Sequence, residues 1–166
     1  MDDTERGTPL EPKIETRAAQ PYAAIAISAP LSEWGRVNAL IGEVYGWLAE
    51  RGTTPAGPLF YRYHAVREDV LDVEVGVPVA EPVEGDGRVI AGTKPAGDYA
   101  VLLHHGHPDQ IRTSFAVLDA WSEREGVEWD VVDGVWAGRF ESYLTDPAVE
   151  PDLANWDTEI AYRVRP

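Results

Sequence analysis

The sequence predicts an α+β domain: a six-stranded, largely antiparallel sheet with two helices on one face and the other face left uncovered. Three observations predict it. The two halves of the chain echo each other in order, which suggests a duplicated unit. Each half reads strand, helix, strand, strand. Each helix carries its apolar residues along one stripe, so it has one face to bury.

The first half runs over about residues 13–83. Pro21-Tyr-Ala-Ala-Ile-Ala-Ile27 is a β-rich run within a strand over 20–28. A helix over 31–51 follows, with Leu31, Trp34, Val37, Leu40, Ile41, Val44, Trp47 and Leu48 at three- and four-residue steps. Pro30 precedes it and Gly52 suits its C-terminal cap. Strands over 57–64 and 69–79 complete the unit, and Glu84-Gly-Asp-Gly87 marks the joining turn. The second half covers about residues 90–166. Asp98-Tyr-Ala-Val-Leu-Leu-His104 matches the first strand, and Ala120-Trp-Ser-Glu-Arg-Glu-Gly126 matches Gly46-Trp-Leu-Ala-Glu-Arg-Gly52. The helix over 109–125 turns Ile111, Phe115, Leu118 and Trp121 inward. Phe140-Glu-Ser-Tyr143 echoes Phe60-Tyr-Arg-Tyr63 within strands over 138–145 and 57–64. Asp157-Thr-Glu-Ile-Ala-Tyr-Arg-Val164 echoes Asp72-Val-Glu-Val-Gly-Val-Pro-Val79. Residues 1–12, acidic and polar with Pro9 and Pro12, read as a flexible tail before a domain over 13–166.

Composition narrows function. The 166 residues carry 14 Lys+Arg against 29 Asp+Glu, a formal charge of −15. Such a chain repels phosphate backbones, and its arginines are scattered, so direct nucleic-acid binding is not expected. Without cysteine it has no thiol nucleophile, disulfide or thiolate-bound metal. There is no apolar run of membrane-spanning length and the start is not a secretory signal, so the expected location is the cytoplasm. The field of the whole molecule favours a cationic small molecule.

Strand alternation sorts the carboxylates. Val73, Val75 and Val77 share one face, which should meet the helices; Asp72, Glu74 and Gly76 share the other. Likewise Thr158, Ile160 and Tyr162 oppose Asp157, Glu159 and Ala161. Glu74 and Glu159 are therefore expected to emerge together, one from each half. A glutamate on a solvated sheet face is ordinary. Two features favour a site. The six Trp and seven Tyr exceed what two helices can absorb, and Gly76 and Ala161 leave space beside each acid. An acid ringed by aromatics suits a flat, apolar cation. Tyr61 and Tyr63 share a parity, as do Glu141 and Tyr143, but the pattern does not say which face that parity selects.

Four stretches together carry a family resemblance: Val73-Glu-Val-Gly-Val-Pro-Val79, His104-His-Gly-His-Pro-Asp-Gln-Ile111, Phe140-Glu-Ser-Tyr-Leu-Thr-Asp-Pro147 and Asp157-Thr-Glu-Ile-Ala-Tyr-Arg-Val164. In order and spacing the chain resembles the GyrI-like small-molecule-binding family, the bacterial effector-binding domains that follow some DNA-binding domains. The resemblance implies tandem SHS2-like modules forming a ligand groove on the sheet face opposite the helices, here as a stand-alone member. It implies binding of lipophilic, aromatic, often cationic compounds around a central Glu with aromatic walls. Glu159 and Glu141 match the family's acids. The expected ligand-binding residues are Tyr61, Tyr63, Glu141, Tyr143, Glu159 and Trp136.

A second implication is catalytic. Some stand-alone relatives resemble hydrolases that open the cyclopropane ring of DNA-alkylating natural products. In such a reaction Glu159, Glu141 and Glu74 are the candidate acids and bases, one donating a proton and another activating water. No cofactor is expected. The His104-His-Gly-His107 cluster invites a metal, but adjacent strand residues point to opposite faces, so no metal site is expected. A protein partner remains an open expectation.

Overall fold

The structure, a computed structural model, describes residues 11–166; the expected tail lies outside them except for Glu11 and Pro12. Eight strands, rather than six, form the main sheet: β1 (Lys13–Arg17), β2 (Gln20–Pro30), β3 (Phe60–Arg67), β4 (Val70–Pro78), β5 (Val89–Lys94), β6 (Gly97–His105), β9 (Arg139–Tyr143) and β10 (Asp157–Arg163). Two further short strands, β7 (Val131–Val132) and β8 (Val135–Trp136), pair with each other, and β8 touches β3. The extra edge strands escape prediction because β1 and β5 are short, with exposed polar residues and no long apolar run.

The path runs β1-β6-β10-β9-β3-β4-β2-β5, and its pairings are antiparallel. Chain order and spatial order disagree at the ends. Ala18 and Ala19 alone join β1, at one edge, to β2, next to the other edge; Pro95 and Ala96 alone join β5 to β6. A two-residue link spans at most about 11 Å between flanking Cα atoms. The two edges must therefore approach each other, and the sheet curls strongly.

The convex face carries the helices. The stripe expected over 31–51 is a 3-10 turn at Leu31–Glu33, then α1 (Trp34–Asn38) and α2 (Leu40–Glu50). Val37, Leu40, Val44 and Leu48 pack on Val73, Val75 and Val77, as the strand alternation requires. The second helix begins with a 3-10 turn at Pro108–Gln110 and continues as α3 (Arg112–Glu125). Gly126 ends it in the left-handed conformation, φ 70°. Leu118 and Trp121 pack on Ala100, Leu102 and Ile160. Each large aliphatic side chain buried there contributes about 1.5–3 kcal/mol.

The concave face is not an open, solvated surface. Tyr22, Ala24, Phe60, Tyr99, Val101, Phe140 and Ala161 form a core of their own inside the curl. Phe60 meets Tyr22 edge-on at 4.9 Å and Phe140 at 5.7 Å. The room expected beside Glu74 is filled: a Cβ on Gly76 would lie 2.5 Å from Cζ of Phe60. Gly76 is small so that this ring can lie flat on the strand. Among the described residues no helix is long and apolar enough to cross a membrane.

Candidate functional site

The two central strands, β3 and β9, come from different halves and place Tyr61 directly opposite Glu141. Alternation then puts Tyr63 and Tyr143 on the same side, which is the helix-covered face. Each parity of β3 begins with an aromatic residue, Phe60 on one and Tyr61 on the other, so the sequence could not assign that face. Phe60 and Phe140 point the other way.

Glu141 is buried, and its Oε1 accepts hydrogen bonds from the hydroxyls of Tyr63 (3.2 Å) and Tyr143 (3.1 Å). Burial pushes its carboxyl above the usual range; the Tyr143 hydrogen bond, the Arg139 charge and the Tyr63 hydrogen bond pull back only partly. Burial and the same carboxylate hold Tyr63 and Tyr143 well above the ordinary phenol value, so both remain neutral donors. Tyr61 donates to Asn38 at the end of α1 and meets Tyr143 edge-on at 5.3 Å. Trp34, the first residue of α1, stacks over Tyr63 at 6.3 Å and touches Tyr61 at 6.0 Å. Three tyrosines thus flank one acid, and Trp34 packs on two of them.

On the α3 side of this acid lies an internal cation. The Arg139 guanidinium sits 4.7 Å from the Trp136 ring, 4.9 Å from Tyr162, 5.4 Å from Phe115 and 5.8 Å from Tyr63. Its Nε is buried without a hydrogen-bond partner. Trp136 therefore meets this cluster through Arg139. Trp34 and Arg139 were missed from the sequence. Trp34 reads there as a helix core position, and an arginine at a strand start has no signal distinguishing it from a surface charge.

The expected pairing of Glu74 with Glu159 is not what the structure shows. Both emerge on the concave face, as alternation requires, but β9 and β3 lie between their strands. Three strand spacings alone amount to about 14 Å along the sheet. Neither acid shares a face with Glu141. Glu74 accepts from the Tyr22 hydroxyl at 2.6 Å and pairs with His64, while Arg62 donates to the same hydroxyl at 2.8 Å. Burial opposes the charge of Glu74, but the His64 and Tyr22 hydrogen bonds outweigh it and hold the carboxyl below its usual range. Glu159 accepts from Arg17 at 2.9 Å. The three candidate carboxylates are thus divided between the two faces of the sheet.

The histidine cluster splits as its strand position requires. His104 contacts the Ser114 hydroxyl and the His107 carbonyl, His107 accepts from the Asp109 amide, and His105 contacts Asp157. No group of His, Asp and Glu suited to a metal ion occurs among the described residues.

With this arrangement the chain matches the GyrI-like small molecule binding domain over residues 10–165. The chain belongs to the GyrI-like family. Small-molecule binding in general follows from that membership. The GyrI-like chain superimposes on the crystal structure of the EcmrR C-terminal domain with a TM-score of 0.77 at 22% identity, covering 93% of this chain and 97% of that one. In an EcmrR–DNA complex it covers 98% of itself but only 60% of the EcmrR chain, with a TM-score of 0.80 and 22% identity. A hydrolase from Listeria innocua aligns at 14% identity with a TM-score of 0.65, over 98% of this chain and 96% of that one. SAV2435 bound to tetraphenylphosphonium aligns at 13% identity with a TM-score of 0.59, over 94% of each chain. Identities this low establish the fold alone. No curated protein sequence matches the chain at comparable stringency.

Proposed function

We propose that the GyrI-like chain binds a lipophilic, aromatic cation on the helix-covered face, with Glu141 as the counter-charge. The observation that carries this is a buried carboxyl held by the phenols of Tyr63 and Tyr143, opposite Tyr61, with Trp34 packed on Tyr61 and Tyr63 and no ion-pair partner for the acid among the described residues. A buried carboxylate is unfavourable until a cation arrives. Rings at this spacing supply stacking and cation–π contacts of about 0.5–2 kcal/mol each. The structural relative solved with tetraphenylphosphonium supports the same ligand class. The site works by sensing or sequestering its ligand, and contacts with nucleic acid are left to other molecules.

Ring-opening hydrolysis is the second reading. The raised Glu141 carboxyl favours it, because a protonated acid can donate to a strained substrate. The two-carboxylate scheme finds no second acid, since Glu74 and Glu159 occupy the opposite face of the sheet. Binding is therefore the reading we adopt.

The test is to titrate the protein with tetraphenylphosphonium and follow backbone and ring resonances. Shifts centred on Tyr63, Tyr143 and Trp34 are expected. Shifts centred on Tyr99 and Phe140, across the sheet, would refute the assignment. A cyclopropane-bearing alkylator recovered with one added water would decide for hydrolysis.

A further inference from the structure

The concave face holds a cavity of about 500 Å³ at the mouth where the two sheet edges approach. That volume falls within the ordinary range for small-ligand pockets. Its walls are largely apolar, with Pro58, Pro78, Pro95, Tyr99, Phe140 and Leu144 among them. Three charged side chains also line it: Arg17 on β1, Lys94 at the end of β5 and Glu159 on β10.

Their charges do not balance locally. Arg17 is held by Glu159 and by Glu15, each at 2.9 Å. Lys94 makes no ion pair or hydrogen bond with any described residue. Instead its Nζ lies 4.2 Å from the Phe60 ring centroid and 4.9 Å from that of Phe140. Ring faces return about 0.5–2 kcal/mol to a cation, whereas removing an ammonium from water costs several. Burial accordingly lowers the Lys94 amine to about 8; Glu159 opposes this, while Arg17 and Arg62 assist it. An ammonium largely withdrawn from water, beside an apolar cavity and with no acid in contact, is a half-made ion pair.

We propose that this cavity is a second ligand site, which takes a small apolar carboxylate with its anion against Lys94 and its hydrocarbon part against Tyr99, Phe140 and Leu144. A monoanion fits better than a phosphate. One unpaired ammonium neutralises one charge, and Glu159 and Glu15 repel a second. The site is independent of the one at Glu141 and opposite to it in charge preference. Phe140 and Glu141 are neighbours on β9 yet face the two different sites.

The experiment compares 1-naphthoate with its uncharged twin 1-naphthamide, titrated calorimetrically into the full chain. Naphthoate is expected to bind, and Lys94→Met to weaken it about tenfold or more while changing naphthamide by less than about twofold. Glu141→Gln should leave naphthoate unchanged while tetraphenylphosphonium loses affinity, which separates this site from the first. Lys94→Met removes a poorly solvated charge, so its melting temperature at neutral pH is expected to rise; Lys94→Gln serves if the methionine variant does not fold. No binding of naphthoate to the folded protein overturns the proposal. So does an equal loss of both probes in the Lys94 variant, or loss of naphthoate in Glu141→Gln.

Discussion

Replacing Glu141 by glutamine separates charge from shape. The amide oxygen still accepts from Tyr63 and Tyr143, so the aromatic cluster keeps its geometry while the negative charge disappears. A ligand cation centred about 5 Å from the carboxylate, at an effective dielectric of about 20, gains roughly 3 kcal/mol of Coulomb energy. That corresponds to about two orders of magnitude in Kd. The assay is fluorescence titration with tetraphenylphosphonium and with uncharged triphenylphosphine oxide, which presents similar rings. Glu141→Gln should cost the cation up to about a hundredfold and the neutral probe almost nothing. Stability should move the other way. A carboxyl whose folded pKa is raised contributes fully below its unfolded value of about 4.3 and loses that contribution as pH rises through the folded value. The glutamine variant lacks this decline, so its melting temperature at neutral pH should equal or exceed that of the parent. Equal losses for the two probes, or none for the cation, would refute the reasoning.

Three other variants probe the surrounding framework. Arg139→Met removes the guanidinium that pulls the Glu141 carboxyl down, so the Glu141 titration midpoint, read from its side-chain carbon resonance, should rise further. Glu74→Gln should flatten the acid end of the stability profile. The depressed carboxyl of Glu74 contributes fully above its unfolded value and loses that contribution as pH falls through its folded value, which denaturant titrations on either side of pH 4 will read. Gly76→Ala places a methyl 2.5 Å from Phe60, a ring wedged between Tyr22 and Phe140. Such overpacking should destabilise the fold by about 1–3 kcal/mol in chemical denaturation.

Much of the fold is legible because burial writes a period into the sequence. Val73, Val75 and Val77 alternate, so their face toward the helices follows directly. The stripe from Trp34 to Leu48 repeats at helical spacing and packs as that spacing requires. What fails to be legible is whatever depends on the curl. An open sheet with a bare second face would place Glu74 and Glu159 in one shared groove. The curled sheet fills that face with Tyr22, Phe60, Tyr99 and Phe140 and gives each acid its own partner, Arg17 for Glu159 and His64 for Glu74. Edge strands β1 and β5 carry no alternation strong enough to announce themselves, and they produce the curl. The acid at Glu141 was within reach because it recurs with Tyr143 at a spacing of two, the step of one strand face. The ring that covers Tyr61 and Tyr63 was not, because Trp34 arrives from a helix.

The crossed lead strands carry one last consequence. β1 opens the first half in the chain but hydrogen-bonds to β6 of the second, and β5 opens the second half but hydrogen-bonds to β2 of the first. Each half wears a border borrowed from the other. Chains cut in the Glu84–Gly87 turn should therefore recombine as an interlocked pair, and neither fragment alone should close its own border. Melting of the intact protein should accordingly be a single event reported alike by Trp47 and Trp121, although the two tryptophans belong to different helices and different clusters.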